Sequence, residues 1–112
     1  MDRAHRLPKG SAFDRAYREG TVTGGPLVVL RVIPNETGAT RWGFAVGKRI
    51  SKRAVVRNRI RRRLREAART LPVYEGYDIV VTARNPALDA SYADLLRGLS
   101  RGVKRAGVLE QG

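Results

Sequence analysis

The chain has 112 residues, with 23 lysines and arginines against 10 aspartates and glutamates, a net charge of +13. That length is one domain's worth, and an apolar share of 42% is enough for a modest core, which excludes a disordered basic tail. A pI of about 11.5 points to a polyanionic partner, nucleic acid or an acidic membrane surface, and the lack of cysteine removes disulfides, thiolate zinc sites and cysteine nucleophiles and suits a cytoplasmic protein.

Met1-Asp2-Arg3-Ala4-His5-Arg6 is basic but no apolar stretch follows, so a signal peptide is not expected. Residues 1–10 read as a frayed tail, and so do 106–112. Ser11-Ala12-Phe13-Asp14 predicts a helix start with Ser11 as N-cap and an acid three residues on, stopping near Gly20. Phe13 and Tyr17, four apart, share a face of it. Thr21–Thr23 is a short strand candidate before Gly24-Gly25-Pro26. Residues 27–33 are rich in β-branched side chains and predict a strand; the run Leu27-Val28-Val29-Leu30 is far too short to span a bilayer. After turn chemistry at Pro34–Gly38, residues 41–47 alternate, with Trp42, Phe44 and Val46 on one side. They predict a second strand, antiparallel to the first.

The next segment makes the protein basic. From Lys48 to Arg69 there are eleven basic residues and one acid, Glu66, so ten of the thirteen net charges lie in 22 residues. Val56, Ile60, Leu64, Ala67 and Leu71 recur at steps of three and four, the apolar stripe of a helix that Pro72 ends. Asn58, Arg61, Arg62, Arg65 and Arg69 then point outward, while Arg57, Arg59 and Arg63 flank the stripe. Arginine-rich codon usage accounts for only four lysines among 23 basic residues, but not for their clustering. Repulsion at that density weakens a helix unless anions neutralise it, so nucleic-acid contact outweighs a solvated basic face. A membrane-surface helix is disfavoured, because the stripe carries no Trp or Phe anchor.

Residues 77–83 predict a strand broken at Asn85-Pro86. Ser91-Tyr92-Ala93-Asp94 repeats the capping pattern, and Leu95, Leu96, Leu99 and Val103 give a last amphipathic helix. The whole reads as a small α+β sandwich, one nucleic-acid-binding domain over 1–112. Catalytic chemistry is thin. His5 is the only histidine and falls in the expected tail. Glu75 and Asp78 are the nearest carboxylate pair, expected to cap or solvate a strand end. No metal spacing or phosphate-cradling glycine loop is present.

Val55-Val56-Arg57-Asn58-Arg59-Ile60-Arg61-Arg62-Arg63-Leu64-Arg65-Glu66, preceded by Gly43-Phe44-Ala45-Val46-Gly47-Lys48-Arg49, resembles the signature of the bacterial ribonuclease P protein subunit. Arg6-Leu7-Pro8-Lys9 with Phe13 and Tyr17, and Asp78–Pro86, resemble its flanking blocks in the same order. The resemblance implies an α-β-β-β-α-β-α fold with a left-handed βαβ crossover. It implies a protein that assembles on a catalytic RNA, which with Mg2+ removes the 5′ leader of precursor tRNA, and that binds this RNA and the leader in the cytoplasm without an obligate protein partner or a membrane. Arg57, Asn58, Arg59, Arg61, Arg62, Arg65 and Arg69 would then contact the catalytic RNA, extended by Lys48, Arg49, Lys52 and Arg53. Aromatics at helical spacing ordinarily pack inward; under the resemblance Tyr17 would line the leader cleft, Phe13 would belong either to that cleft or to the core, and Arg31 stands where some members carry an aromatic. No protein side chain is expected to be catalytic. A structural ribosomal RNA-binding protein shares the charge but needs no aromatic cleft. A DNA-reading helix is disfavoured, since three consecutive arginines favour phosphate over base edges.

Overall fold

The computed structural model describes residues 1–110. Its elements run α1 (Ser11–Glu19), β1 (Thr21–Gly24), β2 (Val28–Pro34), β3 (Arg41–Ala45), α2 (Ala54–Arg69), β4 (Tyr77–Ala83) and α3 (Tyr92–Arg105), with short 3-10 turns at Arg3–His5 and Asn85–Asp89. This is the expected α-β-β-β-α-β-α order. The four strands form one mixed sheet in the order β1-β2-β4-β3.

The expected pairing of β2 with β3 is not what the chain does. β4 lies between them, antiparallel to β2 and parallel to β3. A parallel neighbour needs a crossover of a dozen residues or more, and α2 supplies it, so the basic helix is the connection that lets β4 take the centre. That position explains the unbroken run Ile79-Val80-Val81, each residue with no exposed surface, because a central strand is buried on both faces.

On one face α2 and α3 cover the main core, where Val28, Leu30, Ile79 and Val81 meet Ile60, Leu64, Leu95, Leu99 and Val103. Gly102 is required here: a Cβ on it would lie 2.9 Å from a Leu30 methyl. On the other face α1 packs through Phe13 and Ala16 onto Ile33 and Val80. Asp78, expected to cap or solvate, is instead buried. Its carboxylate accepts two bonds of 2.8 Å from Arg41 and a third from Asn35 Nδ2 at 2.8 Å. This fork joins β3 to β4 where their pairing starts. Removing one partner of such a pair costs about 3–5 kcal/mol, since the other stays buried and uncompensated.

Three further expectations are corrected. Ser11 is not the N-cap: α1 begins on it, behind Gly10, with no side-chain cap. Ser91 does cap α3, accepting from Asp94 N–H at 3.1 Å. Leu71 lies past the end of α2, which Thr70 caps. The two tails are not frayed within the described residues. Leu7 is buried and donates its N–H to Trp42 O at 2.8 Å, beside an Arg6–Trp42 bridge that covers the β3 edge. At the other end Val108 is buried, and Tyr74 N–H donates to its carbonyl at 2.8 Å. Residues 111 and 112 of the expected tail lie outside the described residues.

His5 fastens the N-terminal segment. Its Nδ1 lies 2.7 Å from Asp2 Oδ1 and its Nε2 lies 3.2 Å from Glu75 Oε2. These two hydrogen bonds, Asp2 first, push the imidazole pKa above its ordinary value, and the bond to His5 holds the Asp2 carboxyl below its own. A raised histidine stabilises the fold fully below its unfolded pKa, and the gain disappears as pH rises through the folded value. The lowered carboxyl adds stability that is lost only as pH falls through the acid range. The latch is therefore firmest between those limits. Trp42, the only tryptophan, borders the same recess as His5 and Asp2 and serves as reporter. Raising pH from 5.5 to 8.5 should lower the melting temperature and shift Trp42 emission in a step that His5→Gln abolishes; an identical profile in the variant would contradict the latch.

Candidate nucleic-acid interface

α2 is held by packing and strained by charge. Its arginines at 57 and 61, 59 and 63, 61 and 65, and 65 and 69 are like-charge pairs four residues apart, each costing about 0.2–0.5 kcal/mol. No acid lies in the first turn and no side chain caps the N-terminus, so the helix dipole also meets positive charge. Against this, Ile60 and Leu64 are buried to 3% and 0% exposure, and full burial of one such side chain is worth about 1.5–3 kcal/mol. Packing wins.

Asn58, Arg59, Arg62, Arg65 and Arg69 are exposed on α2. Two arginines stand elsewhere than expected. Arg61 is half-buried on the flank and donates to Asn58 Oδ1, because 100° per residue carries it to the side of Ile60 rather than away from it. Arg59, expected beside the stripe, is outward. Arg57 folds back: its Nη1 donates to Ser51 O at 3.0 Å and Lys52 O at 2.9 Å, tying the preceding turn to the helix. Arg69 is paired with Glu66 at 3.2 Å. Lys52 and Arg53 are exposed on that turn, and Lys48 and Arg49 on the tip before it, between buried Val46 and Ile50.

The opposite face carries the expected cleft residues, and it decides between core and cleft for Phe13. Phe13 is 9% exposed and belongs to the core under α1. Its ring fills the space over Gly43, where a Cβ would lie 2.9 Å from it, so it floors the region and does not line an opening. Tyr17 is 46% exposed, and the Arg31 guanidinium sits 4.2 Å from its ring centroid, a cation–π pair. The strand register places Val29, Thr82 and Ala45 in one row on this face, next to the row of Arg31, Val80 and Gly43. All three are only half-buried. Thr82 Oγ1 is buried there with no hydrogen-bond partner. Neighbouring residues of a strand face opposite ways, so Thr82 points away from Val81, but nothing in the sequence showed that α1 leaves Thr82's row uncovered.

Among the described residues no three His, Asp or Glu side chains converge where a metal ion could sit, and no helix is long and apolar enough to cross a membrane.

The ribonuclease P family model matches residues 1–107. The chain belongs to the ribonuclease P protein family. The ribonuclease P protein component of Symbiobacterium thermophilum is 42% identical over 99% of this chain and 98% of that protein; that of Roseiflexus castenholzii is 41% identical over 98% and 92%. A Staphylococcus aureus RNase P protein, a mutant with defective mRNA degradation activity, superposes with a TM-score of 0.84 at 29% identity, covering 95% of this chain and 91% of the other. The Thermotoga maritima RNase P protein shares the fold, with a TM-score of 0.78 at 24% identity over 96% and 98%. Membership gives the chain a role in tRNA 5′ processing, as the protein subunit of an endoribonuclease that also contains RNA.

Proposed function

We propose that the chain binds the catalytic RNA of ribonuclease P through the outward face of α2 and the adjoining basic turns, and guides the 5′ leader of precursor tRNA across the α1 face, in the cytoplasm. The observation that carries this is the exposed, acid-poor guanidinium row on a helix that packing alone holds in place. Guanidinium groups recognise phosphates through paired donors, and repulsion along α2 falls when phosphates supply the missing negative charge. The chemistry belongs to the RNA with Mg2+, which enters with the RNA phosphates. In support, the one histidine is engaged by Asp2 and Glu75, and among the described residues no three His, Asp or Glu side chains are placed to hold a metal ion.

The leader reading narrows to Tyr17 and Arg31, with the half-buried strip of Val29, Thr82 and Ala45 beside them and Phe13 beneath. An exposed ring backed by a guanidinium stacks on any base, and the cation attracts the backbone.

Binding of the RNA subunit should weaken with salt, log affinity falling against log salt with a slope of roughly −4 to −6 for about five to seven phosphates, by analogy with duplex DNA. Arg62→Gln with Arg65→Gln should flatten that slope by about 1 to 2; an unchanged slope would take α2 off the RNA. Tyr17→Ala should lower the affinity of the assembled holoenzyme for precursor tRNA by about 5- to 150-fold relative to mature tRNA, the loss of one stacked base. Tyr17→Phe should retain most of it. A precursor-to-mature ratio unmoved in a folded Tyr17→Ala protein would route the leader elsewhere.

A further inference from the structure

A second basic surface lies away from α2. Arg97, Arg101 and Arg105 recur every four residues on α3, at about 6 Å per step, along a groove of about 380 Å³ whose other wall is Gly24-Gly25-Pro26. Asp94 is the only acid lining it, 3.6 Å from Arg97. Arg101 makes no ion pair or hydrogen bond among the described residues. Arg105 of this row and one further arginine, Arg84, are fixed at the rim: Arg105 Nη1 donates to Gly24 O at 3.1 Å and Arg84 Nη1 to Gly25 O at 2.9 Å. Each uses one donor of five.

Two features are not explained by the fold. The helix dipole favours cations in the last turn, which accounts for Lys104 and Arg105, and the Asp94 pair accounts for Arg97, but neither accounts for Arg101. Gly98 lies between Arg97 and Arg101 and lines the groove. A Cβ there would meet Val28 and Leu27 at 3.8–3.9 Å, ordinary contact, so packing does not demand glycine as it does at Gly102. A mid-helix glycine costs about 1 kcal/mol relative to alanine. What it provides is an open floor between the arginines.

We propose that this groove is a second phosphodiester-binding surface, whose ligand is a backbone segment of the RNA subunit. The inference rests on the ribonuclease P reading above. The RNA subunit is favoured over precursor tRNA because α3 lies in the same layer as α2, on the opposite side of the sheet from Tyr17 and Arg31. Recognition is by charge and spacing, without base selection: the groove offers guanidinium donors beside a turn whose Gly24 and Gly25 carbonyls already accept from Arg105 and Arg84. With α2 on one RNA segment and α3 on another, the protein spans two segments of the same RNA.

The test uses the full chain and a ribonuclease P RNA transcript, with salt-dependent binding measured for five variants that melt like the parent. Arg97→Gln with Arg101→Gln should flatten the salt slope by about 1 to 2, while the same charge loss at Arg3 and Arg15 should change it less. Arg97→Lys with Arg101→Lys should keep most of the slope. Gly98→Leu, which keeps every charge and improves helix propensity but fills the groove, should weaken binding several-fold. If the α3 variants bind like the parent while Arg62→Gln with Arg65→Gln loses affinity, the groove is not a site and the α2 reading stands. If neither pair matters, the reading itself fails and this inference with it. A loss confined to precursor tRNA binding by the holoenzyme would overturn the assignment of the groove to the RNA subunit.

Discussion

The structure depends on a balance within α2. The helix must hold seven arginines within sixteen residues, four pairs of them at repelling spacing, and remain attached as the crossover between β3 and β4. Its backbone propensity does not decide the matter, because arginine is a good helix former and the opposing term is charge. Attachment comes from Ile60, Leu64, Ala67 and Ala68, all buried against the sheet and α3. A polyanion that neutralises the outward face adds to that attachment. Function and stability thus act through the same helix, from opposite sides.

The sheet separates two tasks. Its α2/α3 face holds the larger core and carries the guanidinium rows outward. Its α1 face is covered only in part, by a nine-residue helix, and leaves Tyr17, Arg31 and the small side chains of the neighbouring row accessible. The buried Arg41–Asp78 fork and the Leu7–Trp42 bond fix the β3 edge, which sets where the turn bearing Lys48 and Arg49 departs. Local geometry at that edge therefore positions the basic surface.

Periodicity made most of this legible. The stripe through Val56, Ile60 and Leu64, the residues of β4 and the Ser91 cap all read correctly, because each is a local pattern with a local cause. What failed was long-range or depended on one step of geometry. Strand adjacency was misread, since the β-branched richness of residues 27–33 and the alternation in 41–47 carry no information on which strand comes between. Arg61 and Arg59 exchanged roles because each lies within one helical step of the boundary between flank and face. Phe13 and Tyr17 share a face, yet Gly43 admits only the first ring, and a glycine thirty residues away is not visible as a pocket. The fork at Asp78 and the latch at His5 join residues far apart in the chain. The α3 arginines were readable at their four-residue spacing, but the groove they line exists only once β1 and β2 are placed beside them.

The claim that everything else serves is that the outward face of α2 lies against the RNA subunit. The chain has no cysteine, so a single Arg62→Cys variant can carry a short photoreactive label, with Arg15→Cys on the outer face of α1 for comparison. Irradiating each with the RNA subunit alone, at low salt and in the absence of precursor tRNA, should cross-link RNA at position 62 and leave position 15 essentially unreacted. RNA captured at position 15 and not at position 62 would contradict the account.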